Sequence, residues 1–429
     1  MPTARRAERC AVVQPDVVIV GAGAAGLSLA RQLGASADGA PGSVVLVDAP
    51  PGPLRPPPRT WCFWEAPGGA YDDVLSASWD RLRVRGADGA ATVARPAPLR
   101  YKMLRSDAFE SLVERRLVAN PCYRRLTATV TGVGDAPGGG GRVVARDEQG
   151  DRIVLHARYV FDSRPPGRLP AARTTLLQHF MGWFVETERP VFDPETADLM
   201  DFRTPQPAQG LSFGYVLPLG PRTALVEYTE FSRTVLDTPG YERALRHYTQ
   251  AVLGIGPHRV TSVERGVIPM TDGRFPARAG TSVFRVGTAG GATRPSTGYT
   301  FAAVQRQSRA IAARLHAGGR FRMPPPYGVW PRAMDAVMLR ALDTGRVDGA
   351  DFFCGLFRAV PGARLLRFLD GTSHRYEDIL VGLRAPVAPM LRTALELPFR
   401  PRREASAVPR TSARPSPGAA APEQEKSGP

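Results

Sequence analysis

Residues 16–34 read DVVIVGAGAAGLSLARQLG, and residues 43–49 read SVVLVDA. The apolar run Val17–Val20 predicts a buried strand, Gly21-Ala22-Gly23-Ala24-Ala25-Gly26 a tight turn, and Ala24–Leu33 a helix. Ser43–Ala49 predicts a second strand. Strand, turn, helix and strand within about 33 residues form a βαβ unit, whose strands must be parallel. The three glycines differ in what they permit. Gly21 allows the turn, Gly23 lets backbone approach a pyrophosphate, and Gly26 lets the helix lie close on the strand. The N-terminus of that helix directs N–H donors and a favourable dipole at the same anion. Asp48, ending the second strand, is suited to accept from ribose hydroxyls. The pattern is that of a dinucleotide site.

Outward from this unit, Ser106 and Asp107 open a predicted helix with apolar positions Phe109, Leu112, Val113 and Leu117. Leu126–Val133 and Arg142–Ala145 flank four glycines as a hairpin, and His156–Phe161 leads to Asp162 at a strand end. Between 176 and 232 short strands alternate without βαβ spacing, which predicts an antiparallel sheet in a second domain. A helix near 241–252 and a strand near 264–269 follow. VFRVGTAGGATRPSTGYTF (283–301) then returns to strand, glycine turn and helix. Its Gly287, Gly290, Gly291, Thr297 and Gly298 offer backbone and hydroxyl groups to a second part of the same cofactor. An N-terminal dinucleotide motif, an interrupting β domain and a second glycine motif suit FAD stretched across a split domain, and Asp162 fits that plan.

The predicted fold is therefore α/β: a Rossmann-like FAD-binding domain of the glutathione-reductase or flavin-hydroxylase type, an inserted antiparallel β substrate domain and a C-terminal helical region. The expected divisions are 1–14 disordered, 15–165 and 276–320 FAD-binding, 166–275 substrate and catalytic, 321–398 helical, and 399–429 a disordered tail.

The chain has 429 residues, with 56 Lys+Arg against 40 Asp+Glu and a formal charge of +16. All but two of the basic residues are arginine, and no basic run interleaved with aromatics or nucleic-acid motif is present, so nucleic acid is not an expected partner. The four cysteines form no C-x-x-C pair and the six histidines no ligand pattern, so no metal site is expected. No h-region and no run of 18 apolar residues occurs, which predicts a cytoplasmic protein without signal peptide or transmembrane helix.

Two groups of carboxylates invite chemistry. In LVEYTEF (225–231) strand alternation puts Glu227 and Thr229 on one face and Tyr228 and Glu230 on the other. MDFR (200–203) supplies Asp201 and Arg203. A carboxyl facing an apolar cavity is desolvated and can stay protonated at neutral pH, as a general acid must. A solvated strand face or an ion pair with Arg203 explains the same residues.

The chain resembles the bacterial flavin-dependent lycopene cyclases, in the DVVIVGAGAAGLSLA opening and in RTWCFWE (59–65), YKMLRSD (101–107), YVFDSR (159–164) and QHFMGWFVE (178–186). The resemblance continues through FDPETADLMDFR (192–203), FGYVLPL (213–219), LVEYTEFS (225–232), GVIPM (266–270) and GTAGGATRPSTGYTF (287–301). It implies that Glu227 is the catalytic acid, that Asp201 and Arg203 form a matching Asp-x-Arg element, and that 287–291 and 295–299 contact the flavin. Ser296 stands where a threonine is expected, and Tyr228 where relatives carry a smaller or acidic residue. Thr288 replaces the aspartate usual in related flavin hydroxylases, which speaks against hydroxylation.

The implied reaction is redox-neutral lycopene β-cyclisation with reduced FAD, NAD(P)H serving as reductant. Trp183, Phe213, Tyr215, Tyr228 and Phe231 are candidate aromatic walls, with core packing the other explanation. Lycopene is lipid-soluble, so peripheral attachment to a membrane surface is expected. Phe352, Phe353, Leu356, Phe357, Leu365, Leu366, Phe368 and Leu369 with nearby arginines suit such an interface, or equally an internal core. Two other readings stay open: a flavin monooxygenase or isoprenoid reductase on a lipid-soluble substrate, and a flavin-binding carotenoid carrier. The extent of cyclisation and the oligomeric state are left open by the sequence.

Overall fold

The computed structural model describes residues 11–34 and 42–404. Its centre is a five-stranded, all-parallel sheet in the order Val283–Arg285, Tyr159–Asp162, Val17–Val20, Val44–Asp48, Tyr123–Thr127. Val17–Val20 sits in the middle and is fully buried, because both faces are covered. Val17 and Ile19 pack beneath the helices Ala24–Gly34, Ser106–Leu117 and Phe301–His316, whereas Val18 and Val20 meet a four-stranded sheet built around the hairpin Thr129–Asp135 and Gly141–Arg146. Phe109, Leu112, Val113 and Leu117 are the buried positions of their helix, as their spacing predicts. Ser106 does not cap it by its side chain; its Oγ accepts from the Arg59 N–H at 2.8 Å.

The second domain is a seven-stranded sheet in the order His258–Thr271, Thr175–Thr187, Thr223–Ser232, Leu211–Pro218, Thr196–Asp201, Arg81–Arg85, Ala91–Ala94. All its pairings are antiparallel except that of Thr196–Asp201 with Arg81–Arg85. The helix Thr238–His247 and its continuation Tyr248–Val252 cover one face, burying Tyr241, Leu245 and Tyr248 against Met181, Trp183, Val226 and Tyr228. The other face looks onto a three-stranded sheet, Thr60–Glu65, Arg100–Arg105 and Ala77–Trp79, and onto the helices Gly349–Ala359 and Gly362–Asp370. The α/β fold with an inserted antiparallel sheet and a helical C-terminal region is thus present.

Several sequence expectations are corrected. Residues 81–94, expected within the FAD-binding part, complete the substrate sheet, because a parallel pairing across more than 100 residues leaves no local signal. The expected strand 126–133 is two strands meeting at Ala128, one in each of two sheets. Ala11–Val13, expected in a disordered N-terminus, pair in parallel with Ile153–Leu155, and Arg403, expected in the tail, bridges Ala172. Residues 1–10 and 405–429 lie outside the described residues. Of the two readings open for 352–369, the internal core holds: Phe352, Phe353, Leu356, Phe357, Leu365, Leu366 and Leu369 are buried against the substrate sheet, with Phe368 half-buried beside them.

Candidate functional site

The two glycine motifs meet. Gly21 has φ +93°, which admits no ordinary side chain, and a Cβ at Gly26 would stand 1.8 Å from the Gly21 carbonyl oxygen. A Cβ at Gly287 would lie 2.9 Å from the Cβ of Ala25, so the turn Gly287–Gly290 rests on the first turn of the helix begun by Ala24 and Ala25. Gly23 differs from these packing glycines, since its absent Cβ would meet nothing within 4 Å. Open space at a helix N-terminus fits an approaching pyrophosphate. Thr297 adds a buried hydroxyl without a hydrogen-bond partner in the wall of the adjoining cavity, a donor available to a ligand. The residues present therefore fit an extended dinucleotide such as FAD.

The remaining predicted contacts are more constrained. Asp48 accepts from the Ala22 N–H at 3.2 Å and pairs with Arg125 at 2.8 Å, which holds its carboxylate against the glycine turn. Asp162 ends its strand beside Val20, and its carboxylate is taken by Arg164. Gly290 would place a Cβ 2.4 Å from the Arg285 carbonyl oxygen, while Gly291 closes the turn by donating to Thr288. Gly298 makes room for Gln178, whose Oε1 would lie 2.2 Å from a Cβ there. Ser296 borders the cavity, but its hydroxyl is spent, donating to Asp335, which also holds the buried Arg294 at 3.0 Å. This pairing, which sequence reasoning missed, fastens the second glycine motif to the helix Val329–Asp343.

Next to Thr297 opens a cavity of about 170 Å3. Leu225, Glu227 and Phe231 project into it from one strand, Phe213, Tyr215 and Leu217 from the next, and Gln178 and Phe180 from the strand on the other side. Trp61, Cys62 and Tyr101 come from the three-stranded sheet, Tyr299 and Phe301 from the second glycine motif, and Phe353, Phe357 and Leu369 from the C-terminal helices. The hydroxyls of Tyr101, Tyr215 and Tyr299 bond to one another. Burial pushes all three above their ordinary range, Tyr299 to about 12, so the cluster stays uncharged.

Two carboxyl groups enter this apolar space. Glu227 is pushed up to about 8, chiefly by burial and further by the charge of Glu264; the hydroxyl of Thr229, donating to its Oε1 at 2.7 Å, opposes the shift. Glu264 is bound differently, accepting from the N–H and hydroxyl of Thr60, both at 2.7 Å, and from Arg105 at 3.1 Å. A carboxyl that keeps its proton at neutral pH beside one fixed by cationic and neutral donors is an arrangement capable of acid chemistry. Sequence reasoning missed Glu264. Its only signal was alternation with Ile268 in a strand whose predicted start hid the residue at its edge.

Of the predicted site, then, the cavity gathers Glu227, Phe213, Tyr215, Phe231, Thr297 and Gly298. It does not gather Asp201 and Arg203. Asp201 is fully buried on the opposite face of the sheet, paired with Arg203 at 2.5 Å and accepting from the Tyr248 hydroxyl at 3.0 Å. Bulges along Thr196–Asp201 break the alternation from which its side would be read. Trp183 and Tyr228 also face that side, where Tyr228 donates to Glu230 at 2.7 Å. Their expected role as cavity walls is corrected, since odd-numbered Trp183 and even-numbered Tyr228 point away on their respective strands.

The family described as lycopene cyclase protein matches residues 16–395 of the chain. The chain belongs to the lycopene cyclase family. No curated protein matches it. Among solved structures the fold is similar to p-nitrophenol 4-monooxygenase from Pseudomonas putida DLL-E4, at 17% identity and TM-score 0.59, covering 91% of this chain and 99% of that one. It is also similar to a geranylgeranyl bacteriochlorophyll reductase-like protein from Thermoplasma acidophilum, at 13% identity and TM-score 0.57, covering 90% and 97%. A third similar structure, the flavin-dependent monooxygenase PieE in complex with FAD and substrate, is 15% identical with TM-score 0.53, covering 90% and 72%. At these identities the likeness is one of fold, so within the lycopene cyclase family the chemistry of this chain is argued from its own cavity.

Proposed function

We propose that this lycopene cyclase family protein closes the ends of lycopene to β-ionone rings, giving γ- and β-carotene without net oxidation or reduction. The observation that carries the reading is Glu227, a carboxyl pushed up to about 8 in a cavity walled by aromatic and aliphatic side chains. An alkene is a very weak base, so its protonation needs a positioned acid and the exclusion of water. In the proposed sequence the Glu227 proton adds to the terminal trisubstituted double bond. The tertiary cation is attacked by the neighbouring double bond, closing the ring, and the resulting ring cation loses a proton to the Glu227 carboxylate. Protons balance, and the acid is restored.

The cation needs company while it lasts. Phe213, Tyr215, Phe231, Tyr101 and Tyr299 offer ring faces to it, and the Glu264 carboxylate offers a charge. The glycine turns at 21–26 and 287–291, with Thr297, would hold FAD at one end of the cavity, reduced by NAD(P)H. Bound there in reduced form, it supplies negative charge that further opposes the cation.

The test is anaerobic incubation of the protein with FAD, NADPH and detergent-dispersed lycopene. Carotenoids are followed by chromatography and NADPH by absorbance. Cyclic carotenes are expected while NADPH falls only by the amount needed to reduce the flavin once. Oxidation of NADPH in proportion to product would make the protein a reductase; lycopene left unchanged would make it a carrier, or a monooxygenase where admitting oxygen then gives an oxygenated product with matching NADPH oxidation.

A further inference from the structure

The C-terminal helices divide into two sets. Gly349–Ala359 and Gly362–Asp370 turn their large apolar side chains into the core beside the cavity. The last two, Arg375–Gly382 and Val387–Glu396, do the opposite. Tyr376, Ile379, Leu380 and Leu383 recur at intervals of three and four and are all exposed, Leu383 to 63%. Val387, Leu391 and Leu395 recur every fourth residue, with Phe399 in the same phase, and Phe399 is 87% exposed. Single exposed apolar residues are ordinary, but an exposed stripe on each of two consecutive helices marks an interaction surface.

The charges around these stripes are one-sided. Arg375, Arg384 and Arg392 are exposed among them. The acids of the stretch are turned inward or spent: Glu377 and Asp378 are buried, and Glu396 is shared by Arg340, Arg346 and Arg400. A second copy of the chain would bring arginines onto arginines with no exposed acid between them. Residues 405–429 hold a single large apolar side chain, Val408, too little to cover eight. An anionic lipid surface offers both an apolar phase and negative headgroups.

We propose that the exposed faces of Arg375–Gly382 and Val387–Glu396, with Arg375, Arg384 and Arg392, dock the protein peripherally on an anionic bilayer. Among the described residues no helix is long and apolar enough to cross a membrane, so these stripes lie in the interface plane. The helix Arg375–Gly382 packs on Gly362–Asp370, whose Leu369 lines the cavity. A lipid-dissolved substrate would thus lie one helix away from the cavity. That last link rests on the proposed carotenoid substrate; the docking surface does not.

The test is sedimentation of the full chain with vesicles of phosphatidylcholine, alone or mixed with phosphatidylglycerol. The wild type is expected to bind the mixed vesicles, and Leu383→Ser/Leu395→Ser/Phe399→Ser at least ~10-fold more weakly with an unchanged melting temperature. Each of Arg375→Gln, Arg384→Gln and Arg392→Gln is expected to cost about fivefold, corresponding to ~1 kcal/mol per interfacial basic residue. Absence of wild-type binding to the mixed vesicles, or full binding by the serine variant, would overturn the proposal. So would a dimer that the serine variant dissociates, or binding that appears only when residues 405–429 are removed. Turnover of detergent-dispersed lycopene, measured in parallel, should survive in the serine variant. Vesicle binding without any lycopene turnover would keep the surface and remove the cyclase reading.

Discussion

Glu227 and Glu264 face the same residue, Gly182, from the strands on either side of it. A Cβ at Gly182 would stand 3.5 Å from Glu227 Oε2 and 2.7 Å from Leu225 Cδ1, so the missing side chain leaves the acid its room. The three-strand row makes one carboxyl sensitive to the other.

Glu264→Gln removes a negative charge that raises the pKa of Glu227. The pKa of Glu227 should fall below about 8, and the alkaline limb of the kcat profile should move to lower pH. Burial is the larger cause, so the limb should not reach the ordinary carboxylate range. A pH profile of the variant in which that limb stays fixed would separate the two carboxyls.

Glu227→Gln should lower kcat by about 10²–10⁴-fold, the usual contribution of a positioned acid. It should also stabilise the protein. A folded pKa of about 8 against an ordinary 4.5 means that the unfolded chain ionises first. Wild-type stability is therefore intact below about pH 4.5 and is lost progressively as pH rises to about 8, at roughly 1.4 kcal/mol per pH unit. Denaturant unfolding of both proteins at pH 5 and pH 8 should show the glutamine variant gaining a few kcal/mol over wild type between those values.

Gly182→Ala should disturb the acid rather than the sheet. The new methyl crowds Leu225 and Glu227, and kcat should fall severalfold while lycopene binding, read from the spectrum of the bound carotenoid, changes little.

Asp201→Asn should cost folding stability. It leaves Arg203 and Tyr248 without their shared buried carboxylate, a loss of about 1–3 kcal/mol because the Arg203 end of the pair reaches solvent. Activity per folded molecule should stay close to wild type, as measured at low temperature on protein whose folded fraction is known from circular dichroism.

Gly23→Ala and Gly26→Ala should separate cofactor binding from folding. The Gly23 methyl would enter open space and reduce FAD affinity at least ~10-fold in a folded protein, by blocking backbone approach to the pyrophosphate. The Gly26 methyl would strike the Gly21 carbonyl and prevent the helix from docking. Flavin fluorescence titration with circular dichroism distinguishes the two outcomes.

The parallel sheet was legible because its signals are local: Val17–Val20, the glycine turn and Val44–Asp48 lie within one short segment and have one physical solution. For Glu227, regular alternation along Thr223–Ser232 separates it from Tyr228 and Glu230, and the family resemblance singled it out as the acid. Asp201 was misplaced because bulges interrupt the alternation of its strand, and Trp183 because alternation tells two faces apart without saying which meets the cavity. Glu264 and the Arg294–Asp335 pair depend on contacts between segments far apart in sequence, which no short-range pattern encodes. The apolar helices of 349–370 were ambiguous between core and surface, and only packing against the substrate sheet decided them.

The most direct measurement is turnover of lycopene in deuterium oxide with NADPH carrying protium at the transferred position, analysed by mass spectrometry of the carotenes. Protonation by Glu227, exchange of its recovered proton with solvent between turnovers, ring closure and loss of a different proton predict one deuterium for each ring formed, no gain of hydrogen, and product formed about 10²–10⁴-fold more slowly with Glu227→Gln. Rings without deuterium, or a product heavier by added hydrogen, would contradict acid-catalysed cyclisation at Glu227.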